Sequence, residues 1–128
     1  MILRRLYFNN TAEGAKLFRN YGTILIGAFI SPVREIQRMT GKIIEDNDFP
    51  EIFVDTPLEI CEQRDTKGLY KKARKGIIKN FTGISSPFET PENPFTVVEN
   101  TSPDVNETVR KLLIKIIPEI KFDPSVNL

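Results

Sequence analysis

Glu51-Ile-Phe-Val-Asp-Thr-Pro-Leu-Glu-Ile-Cys-Glu-Gln-Arg64 joins a short apolar run to a stretch that begins with a proline. The run 51–55 contains apolar, β-branched and aromatic residues, which favour a buried β-strand. Pro57 suits the first turn of a helix, because its ring fixes φ and its missing N–H would have no partner there. The stretch therefore predicts a strand at 51–55 and a helix that ends near Arg64.

The same alternation continues in both directions from this unit. Residues 23–30 form a continuous apolar run typical of a central parallel strand, and 95–99 is a third predicted strand. Strands that alternate with helices predict an α/β fold with a parallel sheet. Ligands in such sheets bind beyond the carboxyl ends of the strands, which here lie near Ser31 and Asp55. The predicted helices are 12–20 with Thr11 as a candidate cap, 34–44, and 105–117 behind an Asp104–Glu107 capping box.

Composition excludes several classes of protein. The 128 residues are enough for a single domain, 1–128, and 40% hydrophobic content is enough for a core. A net charge of +1 argues against a general nucleic-acid binder, and no apolar run is long enough to span a membrane. One cysteine and no histidine exclude an intrachain disulfide and histidine metal sites, so no metal site is expected. These features favour a cytoplasmic protein.

A basic stretch follows the predicted helix, Lys67-Gly-Leu-Tyr-Lys-Lys-Ala-Arg-Lys-Gly-Ile-Ile-Lys-Asn-Phe-Thr-Gly83. A helix near 67–75 would place positions 67, 71, 74 and 75 on one face, which could hold a polyanion. Phe81 offers a flat ring on which a base could stack. The simpler interpretation of the basic stretch is a solvated helix, and that of Phe81 is a core aromatic residue.

The order of these features resembles the mobile lid of adenylylsulfate kinase, at 67–83. Phe29-Ile-Ser-Pro32, Phe53-Val-Asp-Thr-Pro-Leu-Glu-Ile-Cys-Glu-Gln-Arg-Asp65 and Pro91-Glu-Asn-Pro94 also resemble segments of that family. The resemblance implies an α/β fold: a partial P-loop nucleoside-kinase-like parallel three-layer sheet with helices on both faces, its first two strands missing. The implied reaction belongs to sulfate assimilation. It transfers a phosphoryl group from ATP, with Mg²⁺, to the 3′-hydroxyl of adenosine 5′-phosphosulfate (APS) and gives PAPS.

The same resemblance assigns the candidate site. It implies that Ile30, Ser31, Lys67, Asn80 and Phe81 contact APS, with Ser31 as a pocket residue or a phosphoserine. A cap for the following helix is the alternative for Ser31. Arg64 and Pro103 would lie beside the ATP adenine. The alternatives are an ion pair of Arg64 with Asp65 and a simple helix-start proline.

Two family segments do not occur in the 128 residues. There is no Gly-x-x-x-x-Gly-Lys-Ser/Thr loop, which cradles ATP phosphates, and no Asp-Gly-Asp-Asn segment. Ile2 occupies the position of a substrate-contacting asparagine, and 7–11 resemble an insertion. We therefore expect this chain alone to be an inactive, truncated kinase domain. A non-catalytic nucleotide-binding or dimerisation module is the alternative.

The missing segment has a structural consequence. In the implied strand order 2-3-1-4-5, strand 1 separates 23–30 from 51–55, so these two runs would face an empty slot or pair directly. Exposed strand edges invite pairing with another chain. We therefore expect a homodimer or a complementing N-terminal segment as partner, with APS as ligand, and a loosely held tail at 119–128.

Overall fold

The structure is a computed structural model that describes residues 2–45 and 49–120, with side chains from Arg5 onward. A parallel pair of strands, joined by a long crossover connection, is its only sheet within those ranges. The elements are α1 (Ile2–Asn20), α2 (Arg34–Ile44), β1 (Ile52–Asp55), α3 (Leu58–Gln63), α4 (Leu69–Arg74), β2 (Thr96–Glu99), α5 (Val105–Ile116) and a 3-10 turn (Ile117–Glu119).

Strands β1 and β2 run parallel and confirm the predicted α/β fold class. Ile52 pairs with Thr96 and Asp55 with Glu99, in register along both strands. Thr96 and Val98 alternate with exposed residues, so one face of β2 is buried. Helix α5 lies against β2, and its Lys115 Nζ donates a 2.7 Å hydrogen bond to Thr96 Oγ1. Both strands and α5 lie where the sequence predicts them.

Helices α1 and α2 pack against each other and form a small core. Its buried members are Ala12, Ala15 and Ile44, and Phe49 packs against them. Helix α2 has the predicted bounds, but α1 begins ten residues earlier than the predicted helix at 12–20. Thr11 is therefore not a cap: its Oγ1 donates to Tyr7 O from within the helix, at 2.9 Å. Contact with α2 extends the helix through residues whose own propensity is weak.

The predicted strand at 23–30 does not form. Residues 21–30 are all exposed, Ile26 to 93%, and 24–30 make no backbone hydrogen bond to any described residue. The ring of Phe29 lies against α1, 6.0 Å from that of Phe8. A strand requires a neighbour to complete its hydrogen bonds, and β1 is paired with β2. Among the described residues, the apolar run is therefore not paired with β1, and direct pairing of the two runs, one of the two expected arrangements, does not occur.

The C-terminal helix is capped differently from the prediction. Asp104 Oδ1 accepts from Asn106 N at 2.9 Å, as a cap should. The Glu107 side chain does not accept a hydrogen bond from the Asp104 amide, however. That amide donates to Ser102 Oγ at 3.1 Å, and Glu107 pairs with Lys111 at 2.7 Å. Of the predicted loose tail, only residues 119 and 120 are described, and 121–128 lie outside the described residues.

Candidate substrate site and lid

The lid begins with an aspartate that holds the start of α4. Asp65 accepts hydrogen bonds from Leu69 N at 2.8 Å and Lys71 N at 3.0 Å. Partial burial of the carboxylate opposes its ionisation. Hydrogen bonds from the amides that begin α4 outweigh this effect and lower the Asp65 pKa. The predicted Arg64–Asp65 ion pair is thus replaced by a charged helix cap.

The prediction that four basic residues share one face of the lid helix is wrong for two of them. Helix α4 begins at Leu69, so Lys67 lies in the preceding turn instead of on the helix. Arg74 turns towards α3, where its Nη2 lies 2.5 Å from Glu62 Oε1. Lys71, Lys72 and Lys75 are exposed. The cationic surface of the lid is therefore made of lysines, and its arginine joins α4 to α3.

Asn80 and Phe81 lie in a tight loop after α4. Asn80 takes a left-handed backbone conformation with φ 55°, which asparagine tolerates better than most residues. The carbonyl of Phe81 accepts from three successive amides, those of Ile84, Ser85 and Ser86. Its ring is half-buried and meets Tyr70 edge to face, with centroids 5.0 Å apart. Phe81 is therefore a partly accessible ring on a rigid loop, and the core-aromatic alternative is wrong.

Ile30 and Ser31 lie at the end of the exposed apolar run. Ile30 is 68% exposed, whereas Ser31 is half-buried and its carbonyl accepts from Gln37 Nε2 at 2.9 Å. Helix α2 is not capped by Ser31. Its N-cap is Val33, and the amide of Arg34 donates instead to Glu89 Oε2 at 2.7 Å. The capping alternative for Ser31 is therefore wrong.

Arg64 and Pro103 are brought to the same place. The Arg64 guanidinium donates to the carbonyls of Asn100, Thr101 and Ser102, at 3.0, 3.2 and 2.8 Å. The planar fork of an arginine presents its donors in a fixed geometry, whereas a lysine presents a compact charge on a flexible stem. Arg64 thus fixes the loop that leads directly into Pro103 and α5.

Three residues of the site were missed by sequence reasoning: Gln37, Tyr70 and Glu89. Gln37 did carry a signal, since it shares the buried face of α2 with Gly41 and Ile44. That spacing of i, i+4 and i+7 marks the core side of a helix, where a polar side chain needs hydrogen-bond partners. The roles of Tyr70 and Glu89 depend on residues distant in the chain and left no comparable pattern.

Two further observations concern metals and membranes. In residues 2–45 and 49–120, no group of three or more acidic, cysteine or histidine side chains is placed to hold a metal ion. Nor does any helix in those ranges have both the length and the apolar character needed to cross a bilayer.

Comparison with known proteins places this arrangement in a family. The family model described as adenylylsulphate kinase matches residues 3–99. The chain belongs to the adenylylsulphate kinase family. Its relatives include the adenylyl-sulfate kinases of Bacteroides thetaiotaomicron, 53% identical over 86% of this chain, and of Emericella nidulans, 50% identical over 80%. The chain covers 55% and 53% of these two proteins, about half of their length.

Two solved structures have a similar fold. The Mycobacterium tuberculosis APS kinase, in complex with AMPPNP and APS, is 35% identical with a TM-score of 0.83. That comparison covers 91% of this chain and 68% of the other. A second structure, APE1195, is 38% identical with a TM-score of 0.76, and the comparison covers 92% of this chain and 67% of that one. The kinase fold predicted for this adenylylsulphate kinase relative is confirmed.

Proposed function

We propose that this chain provides the APS-binding side and the lid of an adenylylsulfate kinase. The observation that carries the proposal is the Phe81 ring, which is held by Tyr70 and remains partly accessible on a rigid loop. A base stacks on such a ring without any need for the ring to be ordered first. Lys67 and Asn80 lie on the same lid and supply donors for the phosphosulfate and the ribose.

In the proposed reaction, ATP with Mg²⁺ supplies the phosphoryl group and APS supplies the accepting 3′-hydroxyl. The residues of this chain bind and orient the acceptor: Phe81 stacks on its base, while Ile30 and Ser31 form the opposite wall. The lid lysines lie close to developing negative charge, and closure of the lid excludes water. Transfer of this kind depends mainly on positioning and charge neutralisation.

The chain offers ATP an incomplete site. Arg64 and Pro103 fit the adenine end, because the guanidinium holds the 100–102 loop and presents a flat cationic surface. The 128 residues contain no Gly-x-x-x-x-Gly-Lys-Ser/Thr loop to bind the ATP phosphates. The chain by itself is therefore proposed to bind APS more tightly than ATP and to have negligible kinase activity.

A complementing polypeptide is proposed for the open side of the sheet. Within residues 2–45 and 49–120, the exposed run 24–30 and the edge of β1 away from β2 have backbone groups without a partner, which an apolar parallel strand would satisfy. An N-terminal segment like that of the longer relatives fits this slot. A second copy of the chain is the other candidate, and mass measurement in solution distinguishes the two.

A non-catalytic nucleotide-binding or dimerisation module is the second candidate function. The absence of a Gly-x-x-x-x-Gly-Lys-Ser/Thr loop from the 128 residues favours it. The two functions differ in whether activity can be restored.

The test is a coupled kinase assay with Mg-ATP and APS. It compares the 128-residue chain alone with the chain mixed with the N-terminal segment of the Bacteroides thetaiotaomicron relative. The same segment with its Gly-rich-loop lysine changed to alanine is the matched control. We expect no turnover from the chain alone and turnover only with the intact segment. Turnover of about 1 s⁻¹ from the chain alone would overturn the proposed incompleteness. Persistent inactivity with a bound, intact segment would favour the non-catalytic module.

A further inference from the structure

The proposed APS pocket has two walls that come from different parts of the chain. Ile30 and Ser31 form one wall and follow the exposed apolar run, whereas Lys67, Asn80 and Phe81 belong to the lid. Because 24–30 make no backbone hydrogen bond to a described residue, the run itself does not fix the first wall. Another contact must therefore hold the Ser31 end of this wall in place.

A buried amide ties the Ser31 end of the first wall to the segment at Glu89. Gln37 is only 7% exposed, and its Nε2 donates to Ser31 O at 2.9 Å and to Glu89 O at 3.1 Å. One NH₂ group thus uses both of its hydrogens on carbonyls from two chain segments. Since α2 is a regular helix with a packed core, it holds this amide rigidly.

Glu89 reinforces the same junction with its remaining polar groups. Its amide donates to Pro32 O at 2.9 Å, and its Oε2 accepts from Arg34 N at 2.7 Å. Arg34 Nε in turn donates to Thr90 O at 3.0 Å. The backbone and side chain of Glu89 therefore both face the loop that carries Ser31, and the segment containing Glu89 leads back to the Phe81 loop through Pro87 and Phe88.

We propose that Gln37, supported by Glu89, is a positioning residue for APS. It does not touch the substrate. It fixes the Ile30–Ser31 wall to the segment at Glu89, which continues back along the chain to the Phe81 loop, so that the pocket is formed before APS arrives. Preorganisation of this kind increases affinity, because less ordering is needed at binding. The inference rests on the proposed function, since it presupposes that APS binds between these walls.

The experiment measures binding of APS and of ADP to the 128-residue chain by calorimetry. Gln37→Met keeps the size of the side chain and removes both hydrogen bonds. Arg38→Met is the matched control, because Arg38 lies on the same helix and pairs with Glu92 of the same loop through an exposed ion pair. We expect about tenfold weaker APS binding for Gln37→Met and less than about twofold change for Arg38→Met. Binding of ADP, which uses the Arg64 side, stays unchanged in both.

A second pair of variants keeps the test valid if Gln37→Met does not fold. Glu89→Ala removes the acceptor for the Arg34 amide at the start of α2 and should weaken APS binding, whereas Glu89→Gln retains an acceptor oxygen and should restore it. Equal losses for APS and ADP would indicate a merely structural role and overturn the inference. Unchanged APS binding in Gln37→Met, or the same loss in Glu89→Gln and Glu89→Ala, would also overturn it. If the unaltered chain binds no APS, the proposed function itself fails.

Discussion

The rings of Tyr70 and Phe81 meet edge to face, with centroids 5.0 Å apart and planes at 72°. Tyr70 belongs to α4 and Phe81 to the loop that follows, so this contact links the lid helix to the candidate stacking ring. Burial raises the Tyr70 pKa, and the neighbouring Cys61 raises it further. Tyr70 is therefore a neutral, partly buried support for the ring.

Removing this support should weaken the proposed pocket. Tyr70→Ala deletes an aromatic contact of about 0.5–1.5 kcal/mol, and we expect APS affinity to fall by a similar free energy. Tyr70→Phe retains the ring contact and should bind normally. Tyr21→Ala is the control, since Tyr21 is 85% exposed. Fluorescence or calorimetric titration with APS measures the change. Equal affinities for Tyr70→Ala and Tyr21→Ala would show that Phe81 does not depend on its neighbour.

The Asp65 cap makes order in the lid dependent on pH. Its pKa in the folded chain lies below the ordinary value of 3.8. The stabilisation is therefore complete above that ordinary value and is lost as the pH falls through the lowered pKa. Amide exchange or NMR shifts of Leu69 and Lys71 should follow this loss.

Two variants test the pH dependence of the lid. Asp65→Asn removes the charge and should abolish this acid transition at the Leu69 and Lys71 amides. Glu59→Gln, an exposed acid of the neighbouring helix, should leave it intact. The assignment to Asp65 is wrong if the Asp65→Asn lid still shows the same acid transition.

The elements that sequence reasoning predicted correctly are those with strong local patterns. The apolar period of α5 and the Pro57 start of α3 fix those helices, and β1 and β2 follow from short apolar runs. The run 23–30 carries an equally strong signal, yet whether it forms a strand depends on a partner elsewhere. The early start of α1 escaped prediction because contact with α2 overrides the weak propensity of Asn9 and Asn10.

In the candidate site, too, residues within a local motif could be predicted from the sequence, whereas contacts between distant residues could not. Lys67, Asn80 and Phe81 could be proposed from the sequence because they lie within one continuous motif. The Gln37–Glu89 junction spans 52 residues, and the two sides of that contact are not linked by any sequence period. Side-chain partners of this kind become visible only when the fold brings them together.

The slot beside β1 predicts instability of the isolated chain. Backbone groups along 24–30 have no partner among described residues, and the apolar side chains of this run are exposed. Exposed apolar side chains beside unpaired backbone groups favour pairing with another chain. We therefore expect self-association or a broad thermal transition, which light scattering and calorimetry measure.

Adding a complementing strand should reverse this behaviour. The N-terminal segment of a longer relative, supplied in trans, should raise the melting temperature, because a ligand of the folded state stabilises it. A scrambled segment of the same composition is the control. The proposed slot would be contradicted by a monodisperse monomer that melts sharply and whose melting temperature does not change when the native segment is added.

Calorimetric titration of the 128-residue chain with APS and with ATP is the most direct test of its assignment as an APS-binding side and lid. We expect tighter binding of APS than of ATP. Phe81→Ala should weaken APS binding by about 1–3 kcal/mol, because a base loses its stacking partner. Phe18→Ala, which removes an exposed ring on α1, should have no effect. Tighter binding of ATP, or unchanged APS binding in Phe81→Ala, would contradict the assignment.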